Sequence, residues 1–142
     1  MTDQRRRILI VDDYVDSLES WALYFNMCGF EVFTAVDGEA AVRVALASRP
    51  DIALLDLDLP IMTGVEVARQ LRATPETRLL PLIATTGYSG GSRFQDAESA
   101  GFDRIMVKPC DPAKLLAEIE RLLGEKKGPD GTGDGQTPAI PQ

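Results

Sequence analysis

Arg7-Ile8-Leu9-Ile10-Val11-Asp12-Asp13 is the stretch on which the reading of this chain turns. Four apolar residues run without alternation and stop at two carboxylates. A strand needs such a run when helices cover both faces of its sheet, because side chains on both faces are then buried. The pattern recurs three times. Ile52-Ala53-Leu54-Leu55 ends on Asp56, Leu82-Ile83-Ala84-Thr85 on Thr86, and Ile105-Met106-Val107 on Lys108.

Working outward, strand-length runs alternate with stretches of helical period. The pattern predicts strands near residues 7–11, 30–35, 51–55, 81–85 and 104–107. Helices are predicted at 15–28, 38–48, 64–73, 90–100 and 112–123. Strict alternation with short connections implies an α/β fold, a parallel sheet with helices on both faces. The last helix is the clearest. Asp111 is a good N-cap, Pro112 suits the first turn, and Leu115, Leu116, Ile119, Leu122 and Leu123 form one apolar stripe. In the first helix Leu18, Trp21, Ala22 and Phe25 recur at helical spacing as core residues, and Gly29 sits where a C-cap belongs. The fourth helix opens on Ser89-Gly90-Gly91-Ser92. Each glycine there costs roughly 1 kcal/mol against alanine, so this helix should be the least stable.

The chain has 142 residues, enough for one domain, with 44% hydrophobic residues and a net charge of −7. The domain is expected over 1–124, followed by a disordered Gly/Pro-rich tail over 125–142. Residues 128–142 hold four glycines and three prolines, with almost nothing to bury. An acidic chain without a basic face is not expected to bind nucleic acid. Apolar runs of four or five residues are too short to span a membrane. Arg5-Arg6-Arg7 resembles the charged start of a signal peptide, but Asp12 ends the apolar stretch behind it, so it reads as a solvated strand start. Cys28 and Cys110 fit no metal spacing and read as buried or half-buried cytosolic thiols. No histidine is present. Ser-His and Cys-His catalysis, histidine metal sites and a self-contained histidine kinase are therefore excluded.

The acidic pair Asp12-Asp13, the segment Asp56-Leu57-Asp58-Leu59-Pro60-Ile61-Met62-Thr63-Gly64, Thr86 and the Lys108-Pro109 pair are each weak signals. Together, in this order and on these strand ends, they resemble a receiver domain of a two-component response regulator, the CheY-like family, over about residues 5–124. The resemblance implies a flavodoxin-like doubly wound sheet of order 2-1-3-4-5. Strands 1 and 3 then lie about 4.8 Å apart, so Asp12, Asp13 and Asp56 meet at the topological switch point where ligands bind. Strand 5 is roughly 10 Å from strand 3 by the same spacing, a gap that a long lysine can cross.

The resemblance further implies Mg²⁺ as cofactor, with Asp13 and Asp56 as direct ligands, Asp12 holding a metal-bound water and Asp58 offering its backbone carbonyl. Asp56 would be the nucleophile toward an incoming phosphoryl group, and Lys108 would neutralise charge on the transferring oxygens. The Thr86 hydroxyl would bond a phosphoryl oxygen after transfer, with Gly87 leaving room. Pro60 and Gly64 would shape the loop without a chemical part. Position 105 is commonly aromatic in the family, and here it is Ile105, stiff at χ1. Signalling is therefore expected through the Gly90-Gly91 helix start. Asp58 and Tyr88 flank the path of attacking water and should affect the lifetime of the acyl phosphate.

The expected partners are a sensor histidine kinase or histidine phosphotransfer protein, a downstream protein target, and a second copy of the chain in a phosphorylation-dependent dimer. The expected contact face comprises Arg93, Arg104, Lys114, Glu118 and Arg121, and the expected location is cytoplasmic. No output domain is recognisable in this chain, which reads as a stand-alone receiver or as a piece of a larger protein. Two other functions share parts of this pattern. Asp56-Leu57-Asp58 resembles the opening motif of haloacid-dehalogenase phosphatases, but that family needs threonine or valine where Pro60 stands. A degenerate receiver used as a docking scaffold would be expected to lack site residues, and all are present.

Overall fold

Residues alternate in their facing along each strand, and the two faces of the first strand already define two cores. The computed structural model describes residues 5–87 and 92–127. Its elements run β1 (Arg7–Val11), α1 (Val15–Met27), β2 (Glu31–Ala35), α2 (Gly38–Ser48), β3 (Ile52–Asp56), α3 (Gly64–Ala73), β4 (Leu82–Thr86), α4 (Ser92–Ala100), β5 (Arg104–Val107) and α5 (Pro112–Lys127). All pairings are parallel and the strand order is β2-β1-β3-β4-β5, as the resemblance implied.

Leu9 and Val11 pack with Leu55, Ala84, Val67, Leu71 and Ala97, on the side carrying α2, α3 and α4. Ile8 and Ile10 pack with Leu54, Ile83, Phe25, Leu115 and Ile119, on the side carrying α1 and α5. Full burial of such side chains contributes roughly 1.5–3 kcal/mol each, so the sheet is held from both faces. α2 approaches closely because Gly38, Ala41 and Ala45 are what it buries. Among the described residues, α4 adds only Ala97 and Ala100 to the core.

Local signals place the helix ends. Asp111 accepts from the Lys114 amide at 3.4 Å and starts α5. Thr63 and Glu66 form a reciprocal capping box at the start of α3. Gly29, at φ +96°, follows α1 in the left-handed region that favours glycine.

Four details depart from the sequence reading. α5 continues to Lys127, past the expected Leu123. The start of α4 lies at Ser92, and residues 125–127 of the expected tail over 125–142 are the end of α5; the expectations for Tyr88, Gly90 and Gly91 and for the rest of the tail, 128–142, fall outside the described residues. Cys28 is exposed rather than buried, because it caps the last turn of α1 beyond the apolar stripe; Cys110 is half-buried, as expected. The arginines at the start of β1 are more than a solvated run. The Arg7 guanidinium donates to the Ser48 carbonyl at 2.7 Å and reaches Glu31 at 3.4 Å. Arg6 lies 5.1 Å over the Phe30 ring and 3.4 Å from Glu120, tying the edge of the sheet to α5.

Gly64 is required by close approach: a Cβ there would lie 2.6 Å from the Asp56 carbonyl oxygen and 2.8 Å from the Leu57 Cα. Both atoms are backbone and cannot swing away. Gly64→Ala is therefore expected to lower stability by about 1–3 kcal/mol in urea unfolding. Gly124→Ala, inside α5 with nothing within 4 Å, should raise it by roughly 1 kcal/mol. Equal effects of the two changes would contradict this packing.

Candidate functional site

The site is assembled by register. Val11 stands opposite Leu55, which brings Asp12 beside Asp56 at the ends of β1 and β3. Asp56 stands opposite Thr85 on β4, and Thr86 opposite Val107, so Lys108 leaves β5 one strand further out. Lys108 crosses that strand: its Nζ lies 3.0 Å from Asp56 Oδ2. The crossing expected from strand spacing is therefore present. The Lys108–Pro109 peptide bond is cis.

Asp12, Asp13 and Asp56 each present a carboxylate oxygen, all within 4.8 Å of one another. Asp12 and Asp56 are buried and Asp13 is exposed. Two carboxylates that close repel by about 3 kcal/mol at an effective dielectric constant of about 20. Burial pushes the Asp12 carboxyl above its ordinary value; the Tyr14 amide and Lys108 work against this, and the charges of Asp56 and Asp13 add to it. For Lys108, burial works to lower the ammonium pKa, but the bond to Asp56 and the charges of Asp56, Asp12 and Asp58 outweigh it and raise the value.

The three clustered carboxylates, with Asp58 nearby, outnumber the single Lys108 ammonium and leave net negative charge that a divalent cation would offset. All the donors are hard oxygens, the kind Mg²⁺ takes, and Asp13 keeps the cluster open to water. The residues present therefore fit the ion. What sits around them is built from turns. The Tyr14 amide donates to Asp12 Oδ1 at 2.9 Å, and the Asp58 amide to Asp56 Oδ1 at 2.9 Å. The Gly87 amide donates to Asp58 Oδ2 at 3.2 Å, joining the loop after β3 to the end of β4. Thr86 is fully buried at that strand end, and a Cβ on Gly87 would meet nothing within 4 Å, so space is open beside it.

Two features were not marked by the sequence. A cavity of about 330 Å³ adjoins Lys108, lined in part by Asp12, Ser17, Trp21, Thr85 and Cys110. Helical spacing placed Trp21 in the core, and it does stack on Phe25 at 5.8 Å, yet it also walls this cavity. The second is Ile61, whose φ of +66° is a left-handed conformation that a β-branched residue rarely adopts. Such strain costs roughly 1–3 kcal/mol. Neither feature follows from residue type or period.

Comparison with known proteins agrees with this geometry. The model of the response regulator receiver domain matches residues 8–120, and the chain belongs to that family. It is 37% identical over 131 residues to the transcriptional regulatory protein PrrA of Mycobacterium tuberculosis, covering 92% of this chain and 55% of that protein. It is 38% identical over 117 residues to the response regulator PleD of Caulobacter vibrioides, covering 82% of this chain and 26% of that protein. The chain thus spans about half the length of PrrA and less of PleD. Among solved structures, a CheY-like receiver domain protein from Methanospirillum hungatei JF-1 superposes with a TM-score of 0.82 at 29% identity, over 87% of this chain and 98% of that one. The receiver domain of the sensor histidine kinase PA1611 from Pseudomonas aeruginosa PAO1 gives 0.79 at 29% identity, over 84% and 98%. That structure has a magnesium ion coordinated in its active-site cleft. The chain is accordingly a receiver domain of two-component signal transduction, a family in which aspartyl phosphorylation and Mg²⁺ are general features.

Because folding raises the Asp12 pKa, its ionised form costs stability at neutral pH, and the cost disappears as pH falls through the raised value. Asp12→Asn should therefore stabilise the metal-free protein at neutral pH while weakening Mg²⁺ by about 10–100-fold. Quenching of Trp21, the one tryptophan of the chain, reads the metal titration. Because the Asp12 value is raised, protonation of Asp12 should contribute to the loss of wild-type Mg²⁺ affinity as pH falls, and the variant should lose that part of the dependence. A variant with unchanged Mg²⁺ affinity would remove Asp12 from the metal site.

Proposed function

We propose that this chain accepts a phosphoryl group on Asp56 from the phosphohistidine of a sensor kinase or histidine phosphotransfer protein. The observation that carries the reading is the buried Asp56 carboxylate, gripped by Lys108 at 3.0 Å within the Asp12, Asp13 and Asp56 cluster.

Asp12, Asp13, Asp56 and the backbone carbonyl of Asp58 would hold Mg²⁺, with Asp12 acting through a bound water. When bound, the ion neutralises charge on the transferring oxygens. An Asp56 carboxylate oxygen attacks phosphorus, the P–N bond to the donor imidazole breaks, and the imidazole leaves with a proton from water. Lys108 then follows the charge. Its ammonium already bonds one Asp56 oxygen and can shift to a phosphoryl oxygen without travelling far. The Thr86 hydroxyl bonds another phosphoryl oxygen, and because Thr86 is fully buried here, that bond draws the end of β4 toward the site. Changes at Asp58 or Tyr88 would alter hydrolysis of the acyl phosphate more than its formation. The module is a signalling device rather than an enzyme with an external substrate, and its place is the cytoplasm. Among the described residues no helix is long and apolar enough to cross a membrane.

The signal would leave through the face of α4, β5 and α5 toward a downstream protein or a second copy of the chain. There Glu118 accepts from Arg104 at 3.0 Å and from Arg121, a set of ion pairs that a partner carboxylate can re-partition. The phosphatase reading lacks its motif at Pro60, and membership of the receiver family removes its support.

Intact-mass spectrometry after incubation with acetyl phosphate and Mg²⁺ tests the central step. One phosphoryl adduct is expected, dependent on Mg²⁺ and absent from Asp56→Asn. An adduct that survives in the variant would place the acceptor elsewhere.

A further inference from the structure

The side of the sheet that carries α1 and α5 has a hollow that its core does not fill. The cavity of about 330 Å³ beside Lys108 has Ile10 on β1 and Leu54 on β3 as an apolar floor. Ser17 and Trp21 stand one helical turn apart on α1 and line it together. The Trp21 ring is held in place by Phe25, stacked at 5.8 Å, and by Tyr24, edge-on at 6.2 Å. Cys110, between β5 and α5, also lines the space. Serine and cysteine are small, and their size leaves it open. Small-molecule sites occupy roughly 300–1,000 Å³ and are largely apolar with a few polar groups, so this cavity falls at the small end of their range.

Its polar groups lack partners. Thr85 lies two residues after Ile83, on the face of β4 turned toward α1 and α5, where an apolar side chain would be expected. It is 7% exposed, and among the described residues nothing hydrogen-bonds its hydroxyl. A hydroxyl buried to that degree is costly unless bonded, and the cavity it lines is where a partner can enter. Ser17, also without a hydrogen-bond partner among the described residues, adds a second hydroxyl. The charges then set the class of occupant. Asp12 and Lys108 both line the cavity, so an anion meets a carboxylate and a cation meets an ammonium. An uncharged molecule incurs neither repulsion. Lys108 spends one N–H on Asp56 Oδ2 at 3.0 Å, and an ammonium has three to give.

We propose that this cavity binds a small, uncharged aromatic molecule carrying a hydrogen-bond acceptor, and that the occupant restrains Lys108 and slows phosphorylation of Asp56. The ligand's ring packs against Trp21 and the apolar floor, and its acceptor takes an N–H from Lys108 and the hydroxyl of Thr85. Lys108 has to follow the charge onto a phosphoryl oxygen, so a ligand that holds it lowers the rate. The effect on phosphorylation rests on the reading of Asp56 as phosphoacceptor; the binding does not.

The probes are benzamide, benzoate and benzamidine, which share one shape and are neutral, anionic and cationic in turn. Each is titrated into the full chain and followed by the emission of Trp21, the one tryptophan. Benzamide should give a saturable change with a dissociation constant on the order of a millimolar or tighter, the scale for so small a ligand. The two charged probes should bind about tenfold more weakly or less. Ser17→Leu fills the cavity and should abolish the benzamide response. Thr85→Val removes only the hydroxyl and should weaken binding about fivefold. Without ligand, both variants should take label from acetyl phosphate at the wild-type rate, which also shows that they are folded. Saturating benzamide should slow that labelling about tenfold in wild type and leave Ser17→Leu unaffected. No saturable response in wild type, or an equal one in Ser17→Leu, would overturn the site. Tighter binding of either charged probe would refute the neutral class, and binding that leaves labelling unchanged would refute the restraint of Lys108. If acetyl phosphate labels nothing even without benzamide, the reading of Asp56 fails and the binding result stands by itself.

Discussion

The ion pair between Lys108 and Asp56 spans an entire strand, and the rest of the structure serves that reach. Its two groups are 52 residues apart in sequence and belong to strands separated by β4. A lysine can bridge that gap only if β4 stays straight and both neighbours keep register, which the Asp56–Thr85 and Thr86–Val107 pairings provide. The bond from the Lys108 amide to the Thr86 carbonyl, at 2.7 Å, closes the same ladder one residue beyond the last strand pair. Shifting either register by one residue would turn Asp56 or Lys108 toward the opposite face of the sheet. The two apolar cores therefore act on the chemistry indirectly: they fix register, and register fixes the ion pair.

Most of this was legible in the sequence because the signals were of the kind that sequence carries. Continuous runs such as Ile52-Ala53-Leu54-Leu55 announce buried parallel strands, and the polar residues that end them mark one edge of the sheet. Asp111 with Pro112, and Gly29 after α1, announce helix ends through backbone chemistry that hardly depends on tertiary contacts. The strand order was different. Local pattern does not distinguish 2-1-3-4-5 from other doubly wound orders, and the order came from family resemblance.

What stayed hidden depends on spatial neighbours. Trp21 has the spacing of a core residue and packs as one, but one side of its ring also walls the cavity next to Lys108, a fact of shape rather than of period. Arg7 reads as a solvated charge until Ser48 and Glu31 are placed beside it by α2 and β2. Arg72 gave no signal at all, yet its guanidinium donates to the Gly101, Arg78 and Leu80 carbonyls at 2.6–3.1 Å and meets Asp103 at 3.2 Å. Gly101, at φ +104°, has room for that guanidinium only because it lacks a Cβ, which would come 2.7 Å from Arg72 Nε. The far end of α4 is thereby fastened to α3 and to the start of β4.

The distribution of local conflict over the molecule is itself informative. Over most of the chain propensity, capping and burial agree: apolar stripes face the cores and α3 begins with a reciprocal cap, while Arg49, left-handed at φ +51°, ends α2. At the C-terminal edge of the sheet the agreement breaks twice, once where Asp12, Asp13 and Asp56 crowd together and once where Ile61 occupies a left-handed conformation. Both conflicts cost stability; Asp56 ends β3, while Asp12, Asp13 and Ile61 lie on the loops that follow β1 and β3. A fold that gathers crowded carboxylates and a strained β-branched residue at one edge has that edge as its working surface.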